Sequence, residues 1–365
     1  MKSKNKKIYV VIGTRAQIIK MAPVMARMQK AGIDYEFIYT AQHRETIDGV
    51  LKDFGVKSPD RELSSLNEAN TMMRFFGWSG MMFSYVFRPK RVFPQRGLIL
   101  THGDTATCAW AAFVGKLAGC TVSHVESGLR SYNIFSPFPE ELMRLVTFQF
   151  SDVYFCPNKW ALKNVSRYKG EKVNLGMNPL YDSVIAALKS PVTLERFKQP
   201  YVVVSIHRYE NIFKNRFEKT IIPLLEMVAD GGFTLVFVLH PTTREVLKKN
   251  GGVLYRRLEG NDHILLRERY TLFHWIKLVN RAAFVITDGG SNQEELSYLG
   301  KPTLLFRDVT ERIEGLGENV IISKFDRDIV RDFIMNYKNY KRPRVRSTKM
   351  PSDVIVAYLK NYLRD

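Results

Sequence analysis

Two consecutive doubly wound α/β domains are the fold class this chain predicts, on three observations. Short apolar runs alternate with amphipathic helical stretches, as in a parallel sheet covered on both faces. The alternation restarts near residue 200. The chain has 365 residues, too many for one typical core and enough for two.

The elements follow in chain order. Residues 7–12 form a short apolar strand, broken by Gly13 and Thr14, and a helical stretch covers 18–30. Further strands are predicted at 35–40, 97–101, 121–125 and 153–156, with a helical crossover at 108–118. In the second half, strands fall at 201–206, 234–239, 264–266, 284–287 and 302–306, with a helix over 220–229. The turn signal Gly176, Met177, Asn178, Pro179 marks the domain boundary. The domains expected are therefore 1–178 and 179–350, each a Rossmann-like parallel sheet. Residues 351–365 are expected to hold an amphipathic helix packing back across them. In such sheets ligands bind beyond the carboxyl ends of the strands. Two such sheets facing a cleft would place the informative residues just after the strands.

Net charge is +19, from 55 Lys and Arg against 36 Asp and Glu. This balance points to nucleic acid, an acidic membrane face or anionic small molecules. No helix-turn-helix, zinc-finger or RNP-type pattern is present, so nucleic acid is set aside. Cys108, Cys120 and Cys156 form no CxxC pair. That argues against a zinc site or a disulfide framework and for buried free thiols; no metal is predicted. No uncharged apolar run reaches the roughly 18–20 residues a membrane helix needs. The apolar run at 8–12 is too short for a signal-peptide core, so a cytoplasmic location is expected.

Residues suited to chemistry cluster after the strands. Gly13 and Thr14 open a helix whose N-terminal N–H groups suit an anion, and Arg15 and Lys20 add charge. The alternative is a capped helix with two surface cations. The loop is not G-x-G-x-x-G, so nicotinamide cofactors lose support. Asp104 follows the strand at 97–101, where a helix N-cap is the structural alternative. Glu126 follows the strand at 121–125, and a carboxylate directly after an apolar strand is costly to bury without a partner. Glu140 opens the helix that carries Arg144; a first-turn acid on the helix dipole is its alternative. Together the three carboxylates can supply two acid/base groups and one to tune them.

The second half mirrors this arrangement. His207 and Arg208 follow the strand at 201–206 and suit a phosphate. Gly289, Gly290 and Ser291 form a turn before a helix, where successive N–H groups can cradle a diphosphate. Glu295 lies about one turn inside that helix, and Arg312 offers another cation after the strand at 302–306.

Taken together, these blocks resemble the non-hydrolysing UDP-N-acetylglucosamine 2-epimerase family, with its double-Rossmann GT-B fold. The matching blocks are Gly13-Thr14-Arg15, Lys20-Met21-Ala22-Pro23, Gln42-His43-Arg44-Glu45, His102-Gly103-Asp104-Thr105, His124 to Arg130, Ser136 to Glu141, His207-Arg208 with Glu210-Asn211, Gln293-Glu294-Glu295, and Arg307-Asp308 with Thr310-Glu311-Arg312. The resemblance implies an enzyme with neither metal nor cofactor. UDP leaves C1 of UDP-GlcNAc as the C2 proton is removed. Reprotonation from the other face and return of UDP give UDP-ManNAc for cell-surface polysaccharide synthesis. It assigns Asp104, Glu126, Glu140 and His207 to catalysis. Arg15, Lys20, Arg144, Gly289, Gly290, Ser291, Glu295 and Arg312 are assigned to the UDP-sugar, Glu295 at the ribose.

Departures from the family pattern also stand out. Arg15-Ala16-Gln17 replaces Arg-Pro-Glu, and Asp288-Gly289-Gly290-Ser291 replaces Asp-Ser-Gly-Gly. These leave open a modified UDP-hexosamine as substrate. Gln42 and Glu45 stand where some bacterial members carry a second, activating sugar site. Residues 75–87 are uncharged and rich in aromatics, and run into Arg88, Lys90, Arg91 and Arg96. A second basic cluster holds Lys338, Lys341, Arg342, Arg344, Arg346 and Lys349. A core helix at a homodimer seam is one reading; peripheral contact with an anionic membrane at its inner face is the other. The alternatives to the epimerase are a membrane-associated GT-B glycosyltransferase and a hydrolysing 2-epimerase.

Overall fold

The computed structural model describes all residues except 1–5, 43–46, 65–71, 136–137, 214–215, 311 and 365. Several family-motif positions, His43, Arg44, Glu45, Ser136, Pro137 and Glu311, lie outside the described residues, as do the side chains of Phe75 and Phe76.

The chain divides into two compact units, one formed by Met1–Ser183 with Thr348–Asp365, the other by Val184–Ser347. The first holds β1 (Lys7–Ile12), β2 (Glu36–Tyr39), β3 (Arg61–Glu62), β4 (Gly97–His102), β5 (Thr121–Val125), β6 (Val153–Cys156) and β7 (Glu171–Asn174). They form one sheet in the order β3-β2-β1-β4-β5-β6-β7, every pair parallel. The second unit holds β8 (Tyr201–Ser205), β9 (Thr234–Leu239), β10 (Ile264–Glu268), β11 (Val285–Thr287), β12 (Thr303–Leu305) and β13 (Val320–Ile322). Its order, β10-β9-β8-β11-β12-β13, repeats that of the first sheet's leading six strands. In both, the order reverses beside the first strand of the unit, between β1 and β4 and between β8 and β11. This is the switch point where the splayed connections leave room for a ligand.

Burial explains the apolar runs. Val10, Ile12, Leu98, Leu100 and Val125 meet Ile18, Met21 and Met25 of the helix Arg15–Lys30 in the first core. Ile355 and Leu359 of the helix Pro351–Arg364 join the same core, so the chain's last helix belongs to the first unit. Val202, Val204, Phe237, Ile286 and Leu304 form the second core with Leu225 and Phe333. Cys108, Cys120 and Cys156 are buried free thiols, and burial raises the Cys108 thiol to about 12. Among the described residues no helix is long and apolar enough to cross a membrane.

Candidate active site

In the first unit the loop after β1 is built by Gly13, Thr14 and Gln17. The Thr14 side chain accepts from the Gln17 N–H at 3.3 Å, and Gln17 Oε1 accepts from the Gly13 and Thr14 N–H groups at 2.8 and 3.2 Å. This reciprocal capping satisfies donors the helix leaves orphaned. Gln17 Nε2 also donates to the His102 carbonyl at 2.5 Å, which ties this loop to the end of β4. A glutamate there could cap but, ionised, could not donate. The departure from the family's Arg-Pro-Glu therefore has a concrete use. A side chain on Gly13 would meet Thr107 Oγ1 at 2.1 Å, so only glycine fits.

Asp104 does not cap the following helix. The cap is Thr105, whose side chain accepts from the Cys108 N–H. The Asp104 carboxylate instead pairs with Arg144 Nη2. Arg144 donates through Nη1 to Glu141 at 2.6 Å, and Arg130 and the Ser131 N–H hold the same fully buried Glu141. Burial pushes the Glu141 carboxyl up, but these donors outweigh it and hold it below its ordinary value. His124, buried in β5, donates through Nε2 to the Gly103 carbonyl at 2.7 Å while Nδ1 lies 3.0 Å from Ser127 Oγ. Burial lowers its pKa to about 4, so the imidazole is neutral near pH 7. Its contact pins the loop that presents Asp104.

Glu126 sits immediately after β5 with φ of 67°, a left-handed backbone that a non-glycine residue adopts only when its surroundings enforce it. The carboxylate is buried among polar groups. Lys20 Nζ and Asn178 Nδ2 contact Oε2 directly, and His102 Nε2 lies 3.7 Å away. Lys20 is thus spent on a carboxylate in this unit. Glu140 is half-buried at the first position of the helix Glu140–Phe150. Arg15 is half-buried at the first position of the helix Arg15–Lys30. Gln42, by contrast, accepts from the Thr107 N–H and hydroxyl at 3.1 and 2.9 Å; its partner in the expected second sugar site, Glu45, lies outside the described residues.

In the second unit the hub is Asp288, fully buried at the end of β11. It accepts from the His207 N–H at 3.0 and 3.1 Å, the Arg208 N–H at 2.9 Å and the Asn211 amide at 2.9 Å. His207 Nδ1 lies 3.3 Å from Asp288, and its ring stacks on His240 with centroids 5.3 Å apart. Desolvation lowers the His207 pKa, against the pull of Asp288. Gly289 caps the helix Gly290–Leu299, and Gly290 and Ser291 are its first two residues. A Cβ on Gly289 would meet Asn292 Oδ1 at 2.5 Å and His207 Cε1 at 2.9 Å, so the turn needs glycine to keep the imidazole in place. Glu295 is buried and accepts from Trp275 Nε1 at 2.8 Å and Asn292 Nδ2 at 3.2 Å. Arg312 donates to Glu294 at 2.7 Å.

The UDP-N-acetylglucosamine 2-epimerase sequence family matches residues 26–351. The chain belongs to this family. It is 33% identical to the UDP-N-acetylglucosamine 2-epimerase of Bacillus subtilis (strain 168) over 86% of this chain and 82% of that one. Among solved structures it resembles the Neisseria meningitidis UDP-GlcNAc 2-epimerase bound to UDP-GlcNAc, with TM-score 0.82 and 25% identity, covering 98% of this chain and all of that one (100%). The Staphylococcus aureus MnaA–UDP structure matches with TM-score 0.79 and 27% identity, covering 98% and 97%. Family membership agrees with the two parallel-sheet units of the fold.

Sequence reasoning assigned no role to Asp288, Glu141, Glu294 or Asn178. Asp288 had a usable signal, the one applied to Glu126: a carboxylate directly after an apolar strand. Glu141 and Glu294 each adjoin a residue that was chosen. Neighbours on a helix point about 100° apart, and sequence alone did not say that Glu141 is buried beside a half-buried Glu140, or that Glu294 and Glu295 are both buried.

Proposed function

We propose that this chain interconverts UDP-GlcNAc and UDP-ManNAc, or a modified UDP-N-acetylhexosamine, without hydrolysis. The observation that carries the reading is the pair Asp104 and Glu126 on the ends of adjacent parallel strands, within a chain of the 2-epimerase family. The chemistry needs two things. A C2 proton beside an amide nitrogen is barely acidic until the C1–O bond begins to break. The site must therefore stabilise departing diphosphate and hold carboxylates at C2.

The second unit is suited to the first task. The N–H groups opening the helix Gly290–Leu299, with His207 and Arg312, meet the diphosphate, and Glu295 meets the ribose hydroxyls. The first unit is suited to the second task, with Arg15 and Arg144 as cations. As C1–O breaks, its electron pair leaves with UDP, a carboxylate takes the C2 proton, and a C1–C2 double bond forms. A second carboxylic acid protonates C2 from the opposite face, and UDP oxygen adds back to C1. Asp104, Glu126 and Glu140 are the groups proposed for these transfers. Incubation with UDP-GlcNAc and separation of products tests the reading. UDP-ManNAc with no free UDP supports it; free ManNAc with UDP means a hydrolysing enzyme, and no conversion with UDP still bound means a transferase or a modified substrate.

Two surface features suggest partners. Trp78 and Met82 of the helix Met72–Ser84 are buried, whereas Phe83 and Phe87 are 60% and 74% exposed and packed edge to face. A homodimer would cover this pair. On the second unit, Lys338, Lys341, Arg344 and Arg346 lie in or beside an extended segment with no acidic residue between Phe333 and Ser352, which suits an anionic lipid surface. Light scattering of Phe83→Ser/Phe87→Ser is expected to show a monomer where the parent is a dimer. Replacing the four cations by Gln is expected to abolish co-sedimentation with phosphatidylserine vesicles at moderate salt. Neither contact exists if the parent is monomeric and stays in the supernatant.

A further inference from the structure

Asn178 stands at the point where the chain prepares to leave the first unit. It is 1% exposed and precedes the helix Leu180–Lys189, which begins in the first unit and continues into the second, the division falling after Ser183. Its side chain is used at both ends. Oδ1 accepts from the Leu180 N–H at 3.2 Å, at the start of that helix. Nδ2 donates to Glu126 Oε2. The amide therefore has only one useful orientation: oxygen to the helix, nitrogen to the carboxylate. Its backbone carbonyl also accepts from Tyr181 at 2.9 Å.

The first turn of this helix is fastened in the same unit. Ser183 Oγ donates to the Ile19 carbonyl at 2.6 Å, one residue from Lys20, the other group on Glu126. Asp182 is buried and accepts from the Ser352 N–H and hydroxyl at 3.1 and 2.9 Å, and Arg27 pairs with it at 2.9 Å. Asp182 thus ties the outgoing segment to the returning one, since the chain re-enters the first unit at Thr348. Two residues from the crossing, Asp182 fixes the helix; at its N-terminus, Asn178 holds Glu126.

We propose that Asn178 is a positioning residue for Glu126, fixing the carboxylate relative to the helix through which the chain leaves the first unit. This rests on the reading of Glu126 as a reacting carboxylate. The left-handed backbone at Glu126 makes the restraint necessary. A side chain launched from an unfavourable backbone is held by its contacts, and Asn178 is a contact that comes from outside the sheet and its first helix. Lys20 supplies charge from the helix Arg15–Lys30, and His102 faces the same oxygen from β4; His124 and Arg144 also feel the charge of Glu126. Removing Asn178 leaves those groups in place and takes away its own hydrogen bond to Oε2.

The test compares Asn178→Ala and Asn178→Ser with Glu126→Gln in the full chain, with UDP-GlcNAc as substrate. Asn178→Ala is expected to lose roughly 10–100-fold in kcat, the scale on which small misplacements act, with KM changed by no more than about threefold. The limb of the kcat–pH profile that Glu126→Gln abolishes is expected to move to higher pH, because a carboxylate that loses a donor holds its proton more tightly. UDP affinity by calorimetry stays unchanged. Asn178→Ser keeps a short donor and a helix cap, so it recovers part of kcat; it also serves if the alanine variant fails to fold. An unmoved pH profile with kcat intact overturns the proposal, as does a loss of kcat matched by loss of UDP binding. If Glu126→Gln itself retains full activity, the catalytic reading of Glu126 has failed and the proposal falls with it. If Glu126→Gln is inactive while both Asn178 variants match the parent, the proposal alone has failed.

Discussion

Asp104→Asn lowers the epimerisation kcat by roughly 10²–10⁴-fold, the scale of a lost acid/base group, while UDP binding survives. The expectation comes from how the carboxylate is used. Thr105 takes the helix cap, so Asp104 is not committed to holding the backbone. It points instead at Arg144, and its side chain is 28% exposed, open enough to reach a sugar. Asparagine preserves the volume and leaves the Thr105 cap untouched, so the fold survives and the loss falls on kcat. A melting temperature within a few degrees of the parent's separates chemistry from unfolding. Activity within a few-fold of the parent's would remove Asp104 from the reaction and leave Glu126 and Glu140 to supply both protons.

The second large effect is structural in origin and functional in consequence. Asp288→Ala is expected to cost about 3–5 kcal/mol of stability, as when one partner is taken from a buried charged network. The His207 and Arg208 N–H groups end on this carboxylate, and the Asn211 amide divides itself between it and the Phe306 carbonyl; the two half-buried backbone donors would lose their acceptor and the buried amide one of its two. The same change frees the loop that carries His207, beside the glycine turn proposed for the diphosphate, so UDP affinity should fall by at least about tenfold, or ~1.4 kcal/mol. Asp288→Asn retains one acceptor oxygen and should lose less of both. Urea unfolding reads the first quantity and calorimetry with UDP the second. A loss below ~1 kcal/mol would mean that the donors find water, and that the hub is less central than its hydrogen bonds imply.

How far the sequence could be read depended on burial. The central strands β1, β4, β8, β9 and β11 each carry an uninterrupted apolar run, and their positions follow from that pattern. The edge strands β3 (Arg61–Glu62), β7 (Glu171–Asn174) and β13 (Val320–Ile322) were not predicted. Two consist mainly of polar residues and two are no longer than three residues. An edge strand is defined by backbone pairing with a neighbour, and such sequences carry little trace of it. The candidate residues after the central strands stand out in the sequence because a polar residue ending an apolar strand needs a reason. Their partners were not. Nothing local in the sequence says that Asn178 meets Glu126, 52 residues away, or that Asn211 reaches Asp288, 77 residues away. Those pairings exist only once both sheets have taken their order.

The central claim is proton exchange at C2 with UDP leaving and returning. Proton NMR of the purified chain with UDP-GlcNAc in D₂O tests it most directly. The account predicts UDP-ManNAc carrying deuterium at C2, deuterium washing into the remaining UDP-GlcNAc, and both signals lost with Glu126→Gln. Conversion that keeps protium at C2, or release of free ManNAc with UDP, would contradict it.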